Sequence, residues 1–310
     1  MIEKSIIVDE HDNGYHERYH VAQKSTWTSV IVNCFLTLIQ VVTGLLSGSQ
    51  GLIADGIHSL SDLISDFVVL IANNKSKKKA DEDHHYGHYR YENGASLVLG
   101  ILLLSVGAGM LWSAISKIHS PASIPQVHIA ALWVALLALV FKELLFRYML
   151  AVAIRVKSSM LVANAWHARS DAASSLVVAL GIVGNLLGFK FLDPVAALIV
   201  GLIVIKMGYS FMWEALQDLM DRAADSKTED EIKSTLLATE GVINIHDFKT
   251  RKMGDFIIVD VHLEINSNLS VKDGHDISVS ARKILLENPI ILNVMTHIDP
   301  YDSKNKTLTI

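Results

Sequence analysis

The stretch GLIADGIHSLSDLISD, residues 51–66, is mostly apolar and yet carries Asp55, His58, Asp62 and Asp66. It lies in a run, Gln50–Ala72, long enough to cross a bilayer, which takes about 20 residues. An ionisable side chain inside such a helix costs roughly 2.5–3.5 kcal/mol on insertion scales, so each one asks for a reason. The spacing supplies one. Asp55-x-x-His58-x-x-x-Asp62 returns later as Asn164-x-x-His167-x-x-x-Asp171, with Ser65 and Ser174 at matching places beyond each final aspartate. Offsets of three and four put side chains on one helix face, so each copy forms a polar stripe on an apolar cylinder.

If the stripes face one another, His58, Asp62, His167 and Asp171 converge. Two imidazoles and two carboxylates are a natural tetrahedral set for Zn2+ and also serve Fe2+, Co2+ and Cd2+. Without a metal, the same set is two buried anions with no cation opposite. Interhelical hydrogen bonding is the ordinary reading of Ser59, Ser61 and Ser170. Asn164 fits that reading too, or supports a ligand. Asp55 and Asp66 stay open between a group behind the ligands, a carboxylate on the ion's approach, and a helix-end residue near water.

Working outward, six segments are long and apolar enough to span: Trp27–Ser47, Gln50–Ala72, Ala95–Ile115, Val127–Ala153, Met160–Leu187 and Pro194–Trp213. The connections after the second and fourth carry Lys75, Lys77, Lys78, Lys79 and Arg90, then Arg155 and Lys157. Basic residues stay inside, which places those loops and both termini in the cytoplasm. The predicted division is a polar tail over 1–24, six transmembrane helices over 25–213, a connector over 214–224 and a cytoplasmic α+β domain over 225–310. In that last part helices are expected over Glu229–Thr239 and Asp273–Glu287, and strands over Val242–Thr250, Asp255–Ile265 and Asn293–Ile298. Ile257, Val259, Val261 and Leu263 alternate with Asp260, His262 and Glu264, the mark of a sheet with one buried face.

Composition agrees with a membrane protein. Of 310 residues, 51% are hydrophobic, and the mean hydropathy is +0.35. The net charge of −5 gives no case for nucleic-acid binding. The single cysteine, Cys34, excludes an intrachain disulfide and any site needing two thiolates. His16-Glu17-Arg18-Tyr19-His20 satisfies a zinc-protease pattern but sits in the tail, ahead of any core that could frame a cleft. With His11 nearby it suits weak metal capture, and the chain is not read as an enzyme.

These residues together resemble the cation diffusion facilitator family. The matching pieces are residues 51–62 and 164–171, the loop Tyr86-Gly87-His88, and the closing Thr296-His297-Ile298-Asp299-Pro300. The likeness runs from about Lys24 to Tyr301. It implies a homodimeric metal/proton antiporter in the bilayer of a cell's inner membrane. It also implies that the second and fifth spans are neighbours and that the C-terminal domain is ferredoxin-like (αββαβ). Carried over residue by residue, the transport site is His58, Asp62, His167 and Asp171. A peripheral loop site resembles Asp81, His84 and His88, where the residues alone suit a solvated polar loop equally well. His246, His262, His275, His297 and Asp299 match a zinc site that steadies the dimer, and Arg90 with Asp221 matches a charge interlock.

Histidine binds metal only when neutral, so metal and protons compete for such a site. The expectation is Zn2+ efflux against inward proton flow by alternating access. Fe2+, Co2+ or Cd2+ is the alternative cargo, and a non-transporting membrane sensor or partner subunit is the alternative role.

Overall fold

Hydrocarbon offers no partner to a backbone N–H or C=O, so a spanning segment must satisfy its own, and a helix does. The computed structural model describes residues 24, 27–76, 78, 80–120, 124–156, 159–254 and 256–301. The tail, with His11 and the His16–His20 motif, lies outside them, as do Lys77, Lys79 and Lys157. Six long helices follow one another: α1 Trp27–Ser47, α2 Gln50–Ser76, α3 Tyr91–His119, α4 Ile129–Val156, α5 Ser159–Leu186 and α6 Leu192–Leu219. Four of them, α1, α3, α4 and α6, are apolar enough to cross a membrane on composition alone. The other two are the carriers of the polar stripes.

The chain divides into two compact units, one of Leu99–Ser210 with the chain up to Val68, the other of Val69–Val98 with Phe211 onward. In the first, the buried cluster is dominated by small and branched residues: Leu52, Ala54, Ala131, Ala135, Val178, Ala179, Ile182, Ala197 and Val200. Lipid tails are as apolar as leucine, so close van der Waals approach, which small residues allow, holds such helices together. Gly44 and Gly56 show how close: a Cβ on either would fall 2.7 Å from Ile53 or Val41 on the facing helix.

In the second unit, α7 Ser226–Leu237, β1 Asn244–Met253, β2 Phe256–Asn266, α8 Val271–Leu286 and β3 Ile291–Tyr301 give the αββαβ order. The sheet runs β1-β2-β3, antiparallel between the first pair and parallel between the second. Each helix starts on a capping oxygen. Asp225 accepts from the Thr228 N–H at 3.0 Å and Ser270 from the Asp273 N–H at 3.2 Å. Val259, Val261 and Leu263 are buried against Leu236, Ala281 and Leu285 of the helices. This face of the sheet is thereby closed, and the polar face of β2 points away from the helices.

Candidate metal centres

His58 is buried on α2, and its ring lies between two carboxylates. Its Nδ1 stands 3.8 Å from Asp62 Oδ2, and its Nε2 is 3.6 Å from Asp171 Oδ1 on α5. One donor atom from each of the three can be chosen so that all lie within 4.8 Å of one another. Ligands at about 2.0–2.2 Å from a tetrahedral ion sit about 3.3–3.6 Å apart, so the set needs only small rotamer changes to close on one. His58 Nδ1 is buried without a hydrogen-bond partner, a cost that a ligand would remove. His167, one turn before Asp171, is exposed and lies outside this trio. Asp66 and Asn164 lie in α2 and α5, but their side chains are outside what the structure describes.

Asp55 has a different setting. Its Oδ1 accepts from Lys142 Nζ of α4 at 3.2 Å and from Ser174 Oγ of α5 at 3.3 Å. Its Oδ2 accepts from Ser175 Oγ at 2.6 Å and from the Gln40 amide of α1. Lys142 also donates to Ser175 Oγ at 2.8 Å. All five groups are buried. The sequence reading missed Lys142, and its picture of buried anions with no cation in reach needs correcting. A cation is present nearby, and its hydrogen bonds go to Asp55 and Ser175. A scan of every span for ionisable residues would have found it. Asp193 was missed as well: it accepts from Ser49 Oγ at 2.6 Å and the Gln50 N–H at 2.7 Å, an anion at the start of α2.

In the second unit, the loop after α2 folds around Asp81. Its carboxylate takes the His84 N–H at 2.9 Å, lies 3.4 Å from His84 Nδ1 and 3.5 Å from His88 Nε2, and holds Lys78 Nζ at 2.6 Å. The Lys78 ammonium, helped by that backbone N–H, keeps the Asp81 carboxyl well below the usual carboxylate range. Gly87, at φ 81°, lets the chain turn between the two histidines. Within the same unit Arg90 and Asp221 form an ion pair, and Arg90 also donates to the Leu219 carbonyl at 3.4 Å.

On the open face of the sheet, register aligns three histidines side by side, His246 with His262 and His262 with His297. Asp299 joins them: its Oδ2 is 3.1 Å from His246 Nε2 and 2.9 Å from His262 Nδ1, and its Oδ1 is 3.4 Å from His297 Nε2. A β-bulge after His246 puts Asp247 in the left-handed region at φ 46° and brings its carboxylate 3.7 Å from His262 Nε2. No local residue pattern marks that bulge, so Asp247 went unnoticed. The Lys249 ammonium beside it holds the Asp247 carboxyl below the usual range. His275 is exposed on α8, the helix packed on the opposite face, and stays outside this cluster.

Known proteins resemble the chain along most of its length. Residues 26–220 match the cation efflux transmembrane domain and residues 224–301 the cation efflux protein cytoplasmic domain. An uncharacterised transporter of Methanocaldococcus jannaschii is 34% identical over 280 residues, covering 90% of this chain and 99% of that one. Metal tolerance protein C1 of Arabidopsis thaliana is 31% identical over 306 residues, 94% of this chain but 65% of the plant protein. The manganese efflux system protein MneP of Bacillus subtilis is 30% identical over 293 residues, 92% of this chain and 98% of its own.

Proposed function

The chain belongs to the cation diffusion facilitator family of cation efflux transporters, and from that premise we propose that it exports Zn2+ from the cytoplasm in exchange for protons. The observation that carries this reading is the buried trio of His58, Asp62 and Asp171, drawn from two helices and within reach of one ion. His167 sits one turn from Asp171 and completes a four-ligand set by swinging inward when the ion arrives. An imidazole must be neutral to bind and can take a proton when the ion leaves, which couples the two flows through one site. Nitrogen donors favour zinc over manganese, whose preferred partners are oxygens. Fe2+, Co2+ and Cd2+ are the competing cargoes.

The basic loop after α2 supports cytoplasmic termini in an inner membrane, and the metal-binding face of the C-terminal sheet supports a homodimer closed by Zn2+. Zinc flux into proteoliposomes, followed with a pH-sensitive dye, tests the proposal. Zinc-driven proton movement is the expected result. Flux of manganese but not zinc would reassign the cargo, and no flux with any divalent ion would leave a sensor or partner subunit.

A further inference from the structure

The contacts between α2 and α5 run in opposite directions along the two helices. His58 meets Asp171, while Asp55, one turn earlier on α2, meets Ser174 and Ser175, one turn later on α5. The Asp55 network therefore lies directly beside the metal trio, displaced toward the start of α2 and the end of α5. Its members come from four helices, with Gln40 on α1, Asp55 on α2, Lys142 on α4 and Ser174 and Ser175 on α5. Asp55 and Ser175 have no exposure, Gln40 none, and Lys142 2%. Beside it, the side chains of Asp62 and Asp171 retain 17% and 15%. The network is thus closed, while two of the three ligands beside it keep some exposure.

The chemistry of the network also removes one reading of Asp55. Its two oxygens already accept from four donors, and an ammonium stands where a metal would have to. Asp55 is no spare ligand. A transporter must reach its site from each side in turn, and here one side is closed by a buried ion pair. A hydrated or partly stripped metal ion cannot pass between groups that are 2.6–3.3 Å apart.

We propose that Lys142, Asp55, Gln40, Ser174 and Ser175 form the gate on the side of the site nearer the start of α2, and that α2 and α5 must part there for the ion to leave. The gate rests on the transport reading above, where that side faces outward. It is a positioning device: the five groups hold the ligand helices in the closed register without touching the ion. The tethered ammonium satisfies Asp55 while the gate is shut and repels a second cation that would follow the first.

A reversible lock separates a gate from a static strut. A Cβ on Gly51 would fall 3.3 Å from Val178 Cγ1, one turn beyond the network on each helix. A cysteine at 178 would put its sulfur near that Cγ1 position, and a disulfide holds a sulfur about 3 Å from the partner's Cβ. Gly51→Cys with Val178→Cys, in a Cys34→Ser background, is to be reconstituted and assayed for zinc flux and for zinc binding, reduced and oxidised. The reduced protein should transport. Oxidation should cut flux at least tenfold, leave zinc affinity within threefold, and be undone by reducing agent. Unchanged flux in the oxidised protein would overturn the gate, because a strut tolerates a staple. Joint loss of binding and flux would overturn it too, since a gate lies beyond the ligands. If that pair does not fold, Asp55→Asn with Lys142→Met removes the ion pair without stranding either charge: zinc affinity should stay within threefold while zinc leaks without proton exchange, and coupled flux like the parent's would overturn the gate. No flux from the uncross-linked parent, with zinc still bound, would instead sink the transport reading.

Discussion

At the scale of single residues, the proposed site gives Asp171 and Asp62 one task, holding the ion. Each is a partly buried carboxylate near a histidine, so removing one deletes a ligand and also an insertion penalty. Asp171→Ala and Asp62→Ala should each abolish zinc flux while the purified protein elutes and melts as the parent does. Equal flux from Asp171→Ala and the parent would refute the assigned site. His58→Asp exchanges nitrogen for oxygen and should move the zinc-to-manganese flux ratio toward manganese by about tenfold, read by competition in the same vesicles. His58, Asp62 and Asp171 were legible because their spacing repeats and their charge is costly in hydrocarbon. Lys142 was equally visible as a charge in a span but has no repeat, and its tie to Asp55 depends on which helices touch. His167 shares the stripe's spacing and is exposed all the same, which no periodicity encodes.

At the scale of elements, the loop around Asp81 carries a prediction whose sign follows from its charges. Asp81 titrates below its ordinary value, so its contribution is fully present above the unfolded carboxylate value of about 3.9 and is lost only as pH falls through the lower folded one. Across about pH 5 to pH 8 that contribution is thus constant. Asp81→Asn should therefore weaken cadmium binding to this loop by a constant factor over that range, measured by isothermal titration on protein carrying Asp171→Ala and His246→Ala. A factor that changes with pH over that range would contradict the assignment. The elements themselves were largely legible. Alternation along β2 marked its buried face, and the expected helices and strands stand in the order α7-β1-β2-α8-β3. Helix ends were less so: α2 runs to Ser76, and α3 starts at Tyr91, beyond the apolar stretches, because the hydrogen-bond ladder continues after the hydropathy ends. The bulge at Asp247 was illegible, being set by strand pairing and not by any local residue pattern.

For the whole molecule, the C-terminal cluster and the intramembrane trio lie in different compact units, and the proposed function assigns them different tasks. An ion held by His246, His262 and Asp299 binds the folded sheet and not the unfolded chain, so it stabilises by mass action, by about 2.7 kcal/mol at a hundred times its dissociation constant. If the cluster steadies a homodimer, chelation should raise the dimer dissociation constant, and His297→Ala, which removes the most exposed of the three aligned rings, should do so more weakly than His246→Ala. Transport should fall only in part in both variants, because the ligands that carry the ion across the bilayer are untouched. Sedimentation of the detergent-solubilised protein with and without chelator, set beside zinc flux from the same preparations, measures the two effects separately. A dimer indifferent to chelator would move the cluster from assembly to sensing. Complete loss of flux in His297→Ala, with the dimer intact, would mean that the ion at the sheet licenses the transport cycle itself, and a structural role for that metal would then have to be abandoned.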